Sequence, residues 1–458
     1  MKRYLSLDIL RGLSIFGMVF SAIIPFGNLP AWMYHIQNPP PDHKFDMSVS
    51  GISWVDLVFP IFIFCMGVAI PLAGRAKLQT SEKINITGSY TKGVLERFLM
   101  LWIFSYLYVF LNFSTAKGWD AQLATVAGFL ALFPLYYNFG KNSLKRNVLI
   151  SRIAGIVLIT ALILFGHYRY NEVISIGRSG IIIFLLAFLY LFGALIWYFT
   201  RDNLRSRILI FILILAFTAV TIPLGIQPKL YAIESIRWFF NAEYIYFLLI
   251  LIPATYVGDL IYKRLSDEKQ IKGEEQPGLY IAVVLAILSA MFTLYKGYHI
   301  ANLVISALLG ATVYYLAKVR GARYGKESML ALVLFVAGSI FLLAEGAITK
   351  SPCTISYCFI TGAISIYLLI LTDRISELLP GSLFTRIFSG AGSNPLMSYI
   401  AYGSFVMPLF KLTGIIYIYQ AAYPDGYPWI GVLRAAFAVL LTMALVAKMS
   451  EKKIFWRA

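Results

Sequence analysis

Charged residues make up only 13% of this 458-residue chain, about half their share in a soluble globular domain. Set against 59% hydrophobic residues and a mean hydropathy of +0.76, that scarcity excludes a soluble globule and leaves no room for a soluble domain. Cysteine is also scarce, at three residues, so no disulfide framework is written into the chain. Cys65 lies inside an apolar run, where a thiol behaves as a small hydrophobe. Cys353 and Cys358 flank the start of another run and read as unpaired thiols, a disulfide being the alternative. There are four histidines, no two of them four apart, and no Cys pair has a zinc-like partner set, so no metal site is expected. No Walker-type glycine loop is present. Short alternating segments are lacking too, which excludes a β-barrel.

What is there is a succession of apolar runs. A hydrocarbon core of about 30 Å needs about 20 apolar residues per helix, and about fourteen such runs can be placed. They begin near Leu5, Ile52, Gly93, Gln122, Val148, Gly180, Arg207, Tyr244, Leu279, Ile300, Met329, Ile355, Gly392 and Trp429. The fold expected is an all-α polytopic membrane protein, a helical bundle of about 14 transmembrane helices forming one domain over residues 1–458. The formal charge of +17 would suggest nucleic acid in a soluble protein. Here the cations fall between apolar runs, and the positive-inside rule accounts for them. With the N-terminus cytoplasmic, roughly 27 cations lie inside and roughly 10 outside, so both termini are expected in the cytoplasm. Lys2 and Arg3 precede an apolar stretch as in a signal peptide, but Asp8 and Arg11 interrupt it and no small-residue cleavage site follows, so it reads as a retained first span. Residues 263–278, the most charged stretch, read as a cytoplasmic linker.

In that topology residues 26–51 form a polar extracytoplasmic loop carrying His35 and His43, with Pro39, Pro40 and Pro41 expected to stiffen it toward an extended polyproline form. Imidazole is the side chain whose ordinary titration falls near neutrality, so both histidines are candidates for a general base, or are solvated loop residues. Asp56 follows at the mouth of the second span, where a carboxylate would orient a histidine or complement a helix N-terminus. Asp8 and Arg11, three apart, share a helix face. Charges inside a span cost about 2.5–3.5 kcal/mol each on insertion scales, which suggests either a contact for an anionic ligand or an ion pair that fixes packing. Glu345 and Lys350 form a second polar edge on the outer side, and Asn394 before Pro395 marks a break at the thirteenth span. His167 and His299, beside Tyr168 and Tyr298, read as interfacial anchors.

Five stretches together resemble one family. SLDILRG, GISWVDLVFPIFIFCMG, IYFLLILIPATYVGDL, ITKSPCTISYCFITG and GSNPLMSYI are similar, in that order, to the transmembrane acyltransferases of the heparan-alpha-glucosaminide N-acetyltransferase type. The likeness runs over essentially the whole chain. It implies a bacterial-type relative without the luminal N-terminal domain, which passes an acetyl group from cytoplasmic acetyl-CoA to the amine of a terminal glucosamine on the opposite side. The family's catalytic histidine precedes a Gly-x-x-x-x-Asp-Leu-Val-Phe-Pro stretch, here Gly51 to Pro60. His43 is the nearer histidine and the first choice; His35, following Trp32 and Tyr34, is the second. The sequence departs from the family at Ser21 and Ala22, where an asparagine is common, and at LATVAGFLALFPLYYN, which lacks a Gln-Arg pair.

The resemblance therefore implies an acetyl-CoA-dependent acyltransferase with no metal. His43 or His35 would be its base and Asp56 the orienting carboxylate, Asp8 and Arg11 would meet the donor, and Asn394, Lys350 and Glu345 would line the acceptor side. Its partners would be acetyl-CoA, an extracytoplasmic amino sugar or glycan, membrane lipid and a second copy in a homodimer, with no nucleic acid. Its place would be a bacterial inner membrane. The competing reading is a small-molecule or glycan transporter or flippase-like protein that transfers no acyl group.

Overall fold

A computed structural model describes residues 4–80, 86–116, 118–140, 143–221, 224–226, 229, 243–266, 277–319, 323–424 and 426–457. Most of the charged linker expected at 263–278 lies outside the described residues. The fold is all-helical, with no strand among the described residues; an isolated bridge pairs Tyr137 with Trp456. In chain order the helices are α1 (Leu5–Ser21), α2 (Trp54–Thr80), α3 (Ile86–Phe110), α4 (Trp119–Ala131), α5 (Lys145–Tyr170), α6 (Ile181–Thr200), α7 (Leu204–Thr221) and α8 (Leu248–Ser266). There follow α9 (Pro277–Tyr295), α10 (His299–Val319), α11 (Gly325–Glu345), α12 (Ile355–Leu378), α13 (Leu383–Gly392), α14 (Pro395–Ala401), α15 (Met407–Thr413), α16 (Ile415–Ala421) and α17 (Pro428–Glu451).

Among the described residues, eleven helices are long and apolar enough to cross a membrane, or up to twelve if the pair Pro395–Thr413 and Ile415–Ala421, bent by 99°, is one span. That bend falls at Gly414, whose φ of +78° a side chain would resist. The runs expected from Leu5 and Gln122 fall on α1, of 17 residues, and α4, of 13. Both are shorter than the about 20 residues a bilayer core needs; α4 stops before Pro134, which opens a separate single turn, Phe133–Tyr136.

The chain divides into two compact units. One comprises Met1–Leu10, Phe26–Val94 and Phe188–Pro380; the other comprises Arg11–Pro25, Leu95–Ala187 and Gly381–Ala458. The centre of the first is made by α2, α8 and α12, and 89% of the most apolar window of α12 is buried, against 11% for α5 of the second. Lipid is as apolar as leucine, so close packing rather than hydrophobicity holds such helices together. Accordingly, a Cβ built on Gly67 of α2 would come within 2.6 Å of the Ala254 Cβ, and one on Gly258 of α8 within 2.4 Å of the Val68 carbonyl oxygen. Polar side chains add specific ties. Asp259 of α8 accepts from Arg75 Nε of α2 at 2.7 Å and from Arg207 of α7 at 2.8 Å, with Trp197 Nε1 of α6 at 3.3 Å. Asn302 of α10 joins Thr293 of α9 to Ser339 of α11 at 3.0 and 2.9 Å.

In the second unit the core is aromatic, with Phe104, Phe129, Phe133 and Tyr136 packed around Trp456 of the C-terminal tail. The tail is fixed by backbone bonds from Asn138 N–H to the Phe455 carbonyl at 2.9 Å and from Arg457 N–H to the Tyr136 carbonyl at 2.8 Å.

Candidate functional site

The first unit holds a polar site where the 26–51 loop meets the start of α2 and the 346–354 connection. Helix α2 begins with a capping box. Ser53 Oγ accepts from Val55 N–H at 3.2 Å, while Asp56, three residues into the turn, reaches back to accept from Ser53 N–H at 3.0 Å and Ser53 Oγ at 2.9 Å. This reciprocal arrangement satisfies donors that a helix start otherwise leaves orphaned. The same carboxylate does more. Its Oδ2 also accepts from Ile36 N–H at 3.2 Å, and its Oδ1 lies 2.8 Å from His35 Nδ1. Asp56 is 2% exposed whereas the His35 side chain is 38% exposed, so a buried carboxylate grips a half-open ring. A carboxylate acceptor places the proton on Nδ1, and the unprotonated Nε2 is left with no hydrogen-bond partner among the described residues.

His43 is held in a different way. Its Nε2 accepts from Gly27 N–H at 2.8 Å and its Nδ1 donates to the Asn38 carbonyl at 3.2 Å, while its ring packs edge-on to Tyr34 and Phe26. Both nitrogens are committed to folding the loop. The structure thus brings His35, and not His43, to Asp56. The proline triplet does not run extended as the sequence suggested: it turns, and His43 N–H closes that turn on the Pro39 carbonyl at 3.0 Å.

The loop is clasped to the 346–354 connection. Gln37 exchanges two bonds with Ser351, to its carbonyl at 2.7 Å and from its N–H at 3.0 Å, and Gly51 N–H donates to the Ile348 carbonyl at 3.0 Å. Gly51 has a φ of +140° and sits where a Cβ would crowd the Leu294 carbonyl at 3.2 Å, so glycine suits it on both counts. Tyr357 closes the floor by donating to the Asp56 carbonyl at 2.6 Å.

Lys350 stands at this site half-buried, with Nζ 5.9 Å from the centre of the Phe59 ring. Burial pushes its ammonium below the usual lysine value, and the Asp56 carboxylate opposes that shift. Glu345 is nearby in sequence but differently employed. Its carboxylate accepts from Ile355 N–H at 2.8 Å, Ser356 N–H at 3.1 Å and Ser356 Oγ at 2.5 Å, and so caps α12. Cys353 and Cys358 lie beside this cap with their sulfurs 3.3 Å apart, both free.

The remaining expected residues lie elsewhere. Asn394, fully buried in the second unit, accepts from Trp456 N–H at 3.1 Å and donates to the Ile454 carbonyl at 3.0 Å, so its amide holds the C-terminal tail. Arg11 donates to the Gly392 carbonyl at 3.1 Å, and Asp8, 6% exposed, sits one turn earlier on α1. Sequence reasoning missed Gln37, Ser53, Ser351 and Tyr357. Of these only Ser53 carried a signal, the S-x-x-D spacing to Asp56.

Apolar helices of spanning length, enclosing a polar histidine–carboxylate site at one end of α2, define a multi-pass integral membrane protein. Residues 3–261, more than half the chain, match the family described as a domain of unknown function, DUF5009, and the chain belongs to that family. No curated protein matches it.

Proposed function

We propose that this protein is a transmembrane acetyltransferase. It moves an acetyl group from cytoplasmic acetyl-CoA to the amine, or a hydroxyl, of a glucosamine-type sugar or glycan on the opposite side, as the resemblance to heparan-alpha-glucosaminide N-acetyltransferases implies. The observation that carries this reading is the His35–Asp56 pair, with Nδ1 tied to a buried carboxylate at 2.8 Å and Nε2 open. A base oriented by a third group in this way is how proton abstraction is arranged in acyl transfer. His35 Nε2 takes the acceptor's proton as the acceptor nitrogen attacks the acetyl carbonyl carbon. The new C–N bond forms, the thioester C–S bond breaks, and the proton on Nε2 passes to the departing thiolate. Asp56 keeps the proton on Nδ1 and offsets the imidazolium charge, while Lys350 adds a partly desolvated cation on the acceptor side. An acetyl group carried on Nε2 would instead give ping-pong kinetics.

In this reading the helices make fourteen crossings, counting α1, α4 with its extra turn, and the bent segment. Both termini lie in the cytoplasm of a bacterial cell, and the inner membrane holds the protein, as one copy or a homodimer. Asp8 and Arg11 meet the donor from the cytoplasmic side. The test is release of CoA from acetyl-CoA by the purified protein across a panel of amino sugars, beside His35→Ala, His43→Ala and Asp56→Asn variants. Transfer lost in His35→Ala and kept in His43→Ala supports the assignment; transfer that survives His35→Ala removes it. Substrate uptake into vesicles with no CoA release would establish the transporter instead.

A further inference from the structure

At the end of α11 opposite the histidine site, a cleft of about 600 Å³ opens between α8, α10 and α11, a volume in the range of small-molecule sites. Its rim is cationic. Lys263 closes α8, Lys318 closes α10 and Lys326 opens α11, and all three are exposed. They make no ion pair among the described residues. The two arginines beside them are already matched: Arg264 pairs with the buried Glu327 at 3.0 Å, and Arg323 with Asp373 at 3.0 Å and Glu377 at 2.5 Å. Among the described residues, the uncompensated charge of the cleft is therefore lysine charge, one from each of three helices.

Below that rim the lining changes character. Tyr256 and Leu260 precede Lys263 by seven and three residues, Tyr314 precedes Lys318 by four, and Met329 and Val333 follow Lys326 by three and seven. These spacings put each apolar group on the face of its lysine, one or two turns deeper, about 5–10 Å. Met329 is 44% and Val333 50% exposed, so this wall faces sideways, toward the surroundings of the helices. Among the described residues, the adjoining cavity behind the Arg264–Glu327 pair measures only about 10 Å³, about the size of one water probe.

We infer that this cleft binds an anionic phospholipid, with its phosphate among Lys263, Lys318 and Lys326 and its first acyl carbons along Tyr314, Met329 and Val333. A phosphate is the shared chemistry of lipid headgroups and soluble nucleotides. The laterally open apolar wall and the small size of the adjoining cavity favour the lipid, and basic pockets between helices are where such headgroups are recognised. The inference does not rest on the proposed acyl transfer.

The test is native mass spectrometry of the full chain released from nanodiscs of mixed phosphatidylglycerol and phosphatidylcholine. The wild type is compared with Lys263→Gln/Lys318→Gln/Lys326→Gln, with the same three positions changed to Arg, and with Lys145→Gln/Arg146→Gln/Lys452→Gln as an equal loss of charge elsewhere. Retained phosphatidylglycerol is expected in the wild type, the Arg variant and the charge-matched control, with affinity at least about tenfold weaker in the Gln variant. Equal retention of both lipids by the wild type, or an unchanged preference in the Gln variant, overturns the inference. Displacement of phosphatidylglycerol by soluble coenzyme A in the wild type would overturn it in favour of a nucleotide site.

Discussion

Two histidines on one loop are chemically identical, yet they are not interchangeable in the fold. A base needs a nitrogen free to take a proton and a partner to hold the ring. His35 has both, whereas His43 spends Nε2 on Gly27 N–H and Nδ1 on the Asn38 carbonyl. Removing His35 is expected to reduce transfer by about 10²–10⁴-fold, the usual contribution of a general base. Asp56→Asn should lower kcat while sparing KM, because it disturbs the tautomer and not acceptor binding. His43→Ala should lower thermal stability and leave most of the activity, read by melting temperature and CoA release on the same preparations. Lys350 gives a second expectation. Burial lowers its pKa in the folded protein, so between that value and about 10.4 the unfolded chain binds more protons than the folded one, and stability rises with pH. Melting temperatures of wild type and Lys350→Met, compared from neutral pH upward, should diverge in the wild type's favour across that window. A difference that does not change with pH would show that Lys350 is not held in a desolvated place. The carboxylate and both histidines were legible in the chain, but the choice between the histidines was not. It is made by hydrogen bonds that tie His43 to backbone groups 5 and 16 residues away and His35 to a carboxylate 21 residues away, which no local pattern encodes.

At the scale of elements, two of the candidate site carboxylates also hold the starts of helices. Asp56 orients His35 and also closes the capping box of α2, and Glu345 spends its oxygens on the first turn of α12. Glu345→Ala leaves the Ile355 and Ser356 donors unpaired and should cost about 1–3 kcal/mol, seen as a lower melting temperature with the His35–Asp56 chemistry little changed. Asp259 is the corresponding case inside the bundle. It is shared by Arg75 and Arg207, the latter only 3% exposed. Asp259→Ala therefore strands a buried cation and is expected to cost about 3–5 kcal/mol. If Asp259→Ala melts like the wild type, the three charges do not act as one cluster. The helices themselves were readable, because hydropathy sums over neighbours along the chain. Glu345 at the end of one helix and Ile355 at the start of the next gave no such sum, and the apolar run that opens near Gln122 continues through Pro134 while α4 ends at Ala131.

For the whole molecule, the expectation that follows from charge is topological. With Cys65, Cys353 and Cys358 all buried, a cysteine placed at the exposed Met47 should react with an impermeant maleimide added to intact cells. One placed at the exposed Lys452 should react only after permeabilisation. Labelling at Lys452→Cys in intact cells would overturn a cytoplasmic C-terminus, and labelling at Met47→Cys only after permeabilisation would put the histidine loop on the cytoplasmic side. By itself the sequence determined that this is a multi-pass helical membrane protein, where most of its helices run, and that a polar loop with two histidines stands before Asp56. These follow from composition and from spacings within a turn or two, which depend on no distant residue. Only the tertiary structure decided that His35 meets Asp56, that Asn394 serves the C-terminal tail, that Gln37 clasps Ser351, and that three lysines of three helices share one cleft. Each of these joins groups far apart along the chain, or selects among equivalent partners. Packing makes that selection, bringing small residues such as Gly67 and Gly258 to backbone contact and so setting which polar groups come within reach.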